Sequence, residues 1–145
     1  MNLTALRTAL AAAVGEVPGL RAYAYEIDAI PAGEADVAVV SIGEQGIDYQ
    51  QAFRGGLAII DMNVDLYVQA SSERAASERM DALLSSGSGE ARSVIDAIAA
   101  NRTLGGLCGG LVVMSASKPD QVGDGTNQQR RLTSQLSIRI PVGRQ

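Results

Sequence analysis

From Leu57 to Ala70 the chain alternates apolar and polar residues almost without interruption. Ile60, Met62, Val64, Leu66 and Val68 fall on one side, and Asp61, Asn63, Asp65, Tyr67 and Gln69 on the other. A period of two sends successive side chains to opposite faces of a sheet, so this stretch predicts a half-buried β-strand with a polar, acidic outer face. It exceeds the ~5–6 residues common for strands. A strand that outruns the core it covers often goes on to pair with another subunit.

A chain of 145 residues fits one domain, here expected to span 1–145. With one Phe, four Tyr and no Trp, its core must be built from Ala, Val, Leu, Ile and Met. The formal charge is −4, and no basic cluster is longer than Arg130-Arg131. That balance argues against a nucleic-acid-binding domain, which carries a basic stripe, and against attraction to anionic membranes. No window approaches the ~20 apolar residues that span a bilayer. Met1-Asn2-Leu3-Thr4 lacks the basic region of a signal peptide, and the single Cys108 excludes an intrachain disulfide. The expectation is a soluble protein made in a cytoplasm, with no membrane partner.

Leu3, Leu6, Leu10, Ala13, Val14 and Val17 recur at helical spacing, with Asn2 or Thr4 as N-cap and Pro18-Gly19 as the stop. Arg21 to Ile27 and Asp36 to Ile42 predict strands, the second rich in Val. Gly43 to Gly56, with glycines at 43, 46, 55 and 56, predicts a mobile loop or a short protruding hairpin. After the long strand, Ser71-Ser72-Glu73 starts a helix whose buried face is Ala76, Met80, Leu83 and Leu84. Ser85 to Gly89 ends it and caps another, with Ala91, Val94, Ile95 and Ile98 inward. Asn101 to Gly106 is a turn, and Leu107 to Ser117 a strand interrupted by Gly109-Gly110. Lys118 to Gln129 is a polar loop, and Arg130 to Val142 a last alternating strand. Runs of strands and helices define an α+β chain: a mixed, mostly antiparallel sheet of about four to five strands with three helices packed mainly on one face.

Chemistry is harder to find. The chain has no His, which removes the commonest general base, the usual zinc ligand and every Ser-His or Cys-His pair. Cys108 in an apolar stretch reads as a small core residue. Asp61-x-Asn63-x-Asp65 copies the opening of a calcium loop, but Leu66 stands where the turning Gly belongs and Ser72 where the bidentate Glu belongs. Those side chains share one strand face about 7 Å apart. They form a solvated polar face, an acidic row that repels DNA, or a weak cation site completed by another subunit. Gly105-Gly106 and Gly109-Gly110 match no phosphate-binding motif. Tyr49 and Phe53, inside the glycine-flanked loop, are either contacts to a partner or anchors onto their own domain. No catalytic residue, metal or cofactor is expected.

The layout resembles the tail terminator proteins of long-tailed bacteriophages. The resemblance is carried by the N-terminal helix, Gly19-Leu20-Arg21-Ala22-Tyr23 leading to Ala29-Ile30-Pro31, and the loop from Asp48-Tyr49 to Phe53. It continues through Val68-Gln69-Ala70-Ser71, Met80-Asp81-Ala82-Leu83-Leu84, the stretch Ser93 to Ile98, and Thr103-Leu104-Gly105-Gly106. The resemblance implies a structural virion protein, not an enzyme. Six copies would ring the head-proximal end of the tail tube, stop tube growth and meet the head-closure proteins, while DNA passes through the lumen without specific binding. Its partners would be itself, the major tail tube protein and a head-closure protein, and its place the virion tail after synthesis in the host cytoplasm. Tyr49, Gln50 and Phe53, with Asp124 and Asn127 of the Gly123–Gln129 loop, are then candidate assembly contacts. Asp61 and Asp65 are candidate acids facing lumen or solvent. The alternatives are a head-closure or neck connector protein of the same virion, or a small cytoplasmic enzyme or ligand-binding domain.

Overall fold

The computed structural model describes residues 2–28, 30, 36–49, 58–69, 72–87, 93–123 and 130–143. Among them are three helices, α1 (Leu3–Val14), α2 (Glu73–Leu84) and α3 (Val94–Ala100). The strands are β1 (Leu20–Tyr23), β2 (Asp36–Asp48), β3 (Ala58–Val68), β4 (Val112–Ala116), β5 (Asp120–Gly123) and β6 (Arg130–Val142). All six strands form one sheet in the order β1-β2-β3-β6-β4, with β5 on the same edge of β6 as β4. Only β1–β2 is parallel; the other pairings are antiparallel. The fold is α+β, with more strands than the sequence predicts.

Each helix begins where a side chain satisfies the first free amides. The Asn2 side chain accepts from the Ala5 amide, Ser72 from Ala75 and Ser93 from Asp96. The third cap is thus Ser93, not the Ser85–Gly89 stretch, because α3 is short and starts at Val94. All three helices face one side of the sheet. Leu6, Leu10 and Val14 from α1, Met80 and Leu83 from α2, and Val94 and Ile98 from α3 join one core with the inward residues of β3 and β6. Arg79 fastens α2 to the sheet, its Nε donating to the Asp36 carboxylate at 2.8 Å and its Nη2 to the Pro18 carbonyl at 2.9 Å.

The alternating stretch from Leu57 becomes the centre of the sheet. β3 pairs with β2 on one side and β6 on the other, and Ile60, Met62, Val64, Leu66 and Val68 are all fully buried. It therefore does not outrun its core: its length is matched by two equally long neighbours. β6 spans the predicted residues. Four local predictions need correction. β2 runs through Gly43 as far as Asp48 instead of ending at Ile42, β1 stops at Tyr23, and part of the predicted polar loop is β5, paired to β6 from Asp120↔Thr133 to Gly123↔Arg130. Leu107 to Gly110 is not strand either. Here the Thr103 carbonyl accepts from the amides of Gly106 and Cys108, and the Arg102 carbonyl from that of Leu111, closing turns that delay β4 to Val112. Leu104 holds a left-handed φ of 49° in this turn with its side chain buried. Such a backbone costs roughly 1–2 kcal/mol, and burial of the side chain offsets it.

Candidate functional site

The face of the sheet away from the helices carries the polar half of β3. Register brings Asp61 opposite Arg139, Asn63 opposite Ser137, Asp65 opposite Gln135 and Tyr67 opposite Thr133. On the β2 side, Val39 lies opposite Asp65 and Val37 opposite Tyr67. Both valines are buried, yet they stand apart from the main core cluster. This end of the outer face is therefore covered, whereas the other end is open.

The covered end holds Asp65 and Tyr67, and burial raises the pKa of both. Burial pushes the Asp65 carboxyl above its ordinary value; the Gln135 side chain, whose Nε2 donates to Oδ1 at 2.8 Å, partly counteracts this, and the negative charge of Glu26 adds to the rise. Glu26 belongs to the segment leaving β1, which Arg7 holds. The Arg7 Nη1 donates to the Ala24 carbonyl at 3.3 Å, and its guanidinium sits 4.7 Å from the centre of the Tyr25 ring. Tyr67 is raised as well, by burial first and by the Asp65 charge second. Asp65 is thus a half-buried acid with a defined partner.

Asp61 has a different role. β2 and β3 pair regularly as far as Ile42↔Met62 and resume at Ile47↔Ile60, so Gly43, Glu44, Gln45 and Gly46 stand opposite Asp61 alone. This is an enlarged β-bulge, which bends a strand and sharpens its twist. The Asp61 Oδ2 accepts from the Gln45 amide at 3.0 Å, giving the displaced backbone a partner. Gly43 packs so tightly on this carboxylate that an added Cβ would collide with it. Gly46 supplies the turn with a φ of +61°. Glycines that read as a strand terminator are in fact the means by which β2 continues.

Beside the bulge lies an open cleft of about 360 Å³, whose lining includes Gln45, Gly46, Ile59, Asp61, Met114 and Arg139. Met114 is the extra residue of a second irregularity, where β4 shifts register on β6 between Val113 and Ser115. Tyr49, Val112 and Met114 are each about half exposed, at 52%, 47% and 52%. Of the predicted site residues, Tyr49, Asp61 and Asp65 are described, and Tyr49 follows directly on the end of β2. Gln50, Phe53, Asp124 and Asn127 lie outside the described residues. Sequence reasoning overlooked Gly43, Gln45, Met114 and Arg139. Only the glycine spacing at 43 and 46 hinted at them, and it also fits a plain loop.

Among the described residues no group of three or more His, Cys, Asp or Glu side chains could hold a metal ion. Asp61 and Asp65 each spend a carboxylate oxygen on a neighbour. Cys108 is buried, its thiol directed at the Arg102 carbonyl at 3.4 Å. No helix among the described residues is long and apolar enough to cross a membrane. Comparison with protein-family models and with curated proteins found no match to this chain.

Proposed function

We propose that this chain is a structural component of a long-tailed bacteriophage, a tail terminator that caps the head-proximal end of the tail tube as a ring of six copies and meets the head-closure proteins. The resemblance of its residue pattern to that family is the source of the reading. Its physical support is the division of the sheet, and one observation carries it. Helices fill one face, while the open end of the other displays a bulged hairpin end with Tyr49 and an edge with Val112 and Met114 exposed. Exposed aromatic and Met side chains at the border of a sheet suit recognition of another protein surface. The negative net charge suits a ring through which DNA slides without sticking.

The test is removal of the gene from a phage that carries it, with tail lengths measured by electron microscopy. Overlong tails detached from heads, restored by the wild-type chain supplied in trans, are the expected result. Normal tails joined to full heads overturn the proposal; tails of normal length left detached move the protein to the neck.

A further inference from the structure

We infer that Asp61 is a positioning residue, locking the bulge that aims the hairpin end carrying Tyr49. The inference rests on the tail-terminator reading for what Tyr49 touches, but its geometry stands on its own. Beyond the bulge only two pairs, Ile47↔Ile60 and Asp48↔Ile59, connect the strands before Tyr49. Here β3 is held by β6, through Ile60↔Ile140, Ile59↔Pro141 and Ala58↔Val142, so what remains to be set is the course of β2 into Tyr49, and that follows from the bulge before it. That backbone is set by four residues of β2 facing one of β3, and among the described contacts Asp61 is the side chain that ties them down. Its Oδ2 holds the Gln45 amide, and its carboxylate fills the space that only a residue without Cβ at position 43 leaves open. Gly43 and Asp61 thus fit as a pair. The same bulge walls the cleft beside Met114, so one carboxylate shapes both the hairpin end and the neighbouring surface.

Asp61 does this as a hydrogen-bond acceptor, and its charge is incidental. Asn keeps an acceptor oxygen of the same reach, whereas Ala removes it. The experiment measures amide exchange at Gln45 in the purified full chain, and tail length after complementation of a phage lacking the gene. Asp61→Ala is expected to speed exchange at Gln45 about tenfold, the equivalent of one lost hydrogen bond, with the amides of β3 and β6 unchanged. It is also expected to give overlong tails. Asp61→Asn keeps both the protection and the tail length. Gly43→Ala, which pushes the carboxylate aside, reproduces Asp61→Ala, and the double variant Gly43→Ala/Asp61→Ala is no worse than either single one, because truncation at 61 makes room for the new methyl.

Unchanged exchange at Gln45 in Asp61→Ala overturns the inference, as does an Asp61→Asn variant as defective as Asp61→Ala, which assigns the role to charge. Should Asp61→Ala fail to fold, Gly43→Ala supplies the same measurement. Normal tails from Asp61→Ala alongside overlong tails from Tyr49→Ala overturn the positioning role and leave the function standing. Normal tails from both, with Gln45 exposed, overturn the assembly role of the hairpin end and leave the lock standing.

Discussion

The two faces of β3 are built by different means. Toward the helices, five aliphatic or thioether side chains from Ile60 to Val68 are fully buried and held by close packing alone. On the reverse face each acid has a partner of defined geometry, Gln45 for Asp61 and Gln135 for Asp65. Packing is tolerant of detail but costly to empty, whereas a hydrogen bond between named groups is cheap to lose and fixes direction. The first face sustains the fold, and the second decides what the surface presents.

The sharpest break of this contrast is Leu66→Ala on the packed side. It should cost about 3 kcal/mol, read as a lowered urea midpoint with an unchanged slope. Next comes Arg79→Ala, which releases α2 from Asp36 and the Pro18 carbonyl. The pair is partly buried, so a loss of about 1 kcal/mol is expected in the same assay. Asp65→Asn addresses the reverse face through pH. A carboxyl raised in the fold binds its proton more readily folded than unfolded, so stability falls as pH climbs from the ordinary Asp range through the raised value, and is level above it. Asn accepts the same Gln135 bond without the charge. It should flatten that slope and raise neutral-pH stability by less than about 1 kcal/mol, the side chain being only half buried. A steeper slope in the variant would contradict burial as the main cause. Smallest of all is Ser137→Ala on the open end of that face, expected within about 0.5 kcal/mol of wild type.

Legibility in the sequence followed the same divide. Apolar periodicity alone located β3, β6 and most of the inward helix faces, because burial imposes its period on composition; of the residues expected inward, Leu84 and Ile95 are only partly buried and Ala91 lies outside the described residues. Caps were readable to within a residue or two for a related reason, each bond spanning three residues: Asn2 was one of two candidates with Thr4, and Ser72 lay within Ser71-Ser72-Glu73. The extension of β2 was not readable. It depends on a carboxylate meeting an amide across 16 residues, and the local text, Gly43 to Gly46, resembles a terminator. β5 was hidden because Asp120 and Gly123 are poor strand formers, held in place by the long β6 beside them. Of the candidate site, the sequence left Tyr49 open between a partner contact and an anchor onto its own domain, and its half-exposed side chain is what the fold adds. The roles of Gln45, Met114 and Arg139 were not foreseeable, since each depends on which strands become neighbours.

The placement of β6 has a consequence for how the molecule is made. β3, the middle of the sheet, completes its pairing with a strand whose residues follow far behind it; Asp65 and Gln135 are 70 positions apart. While a ribosome is still producing the helices in between, β3 offers a bare edge with nothing to zip onto. Contacts so distant along the chain form slowly and leave the nascent product prone to clumping until they close. The arrival of β6 is therefore the event that turns a partial sheet into a finished fold.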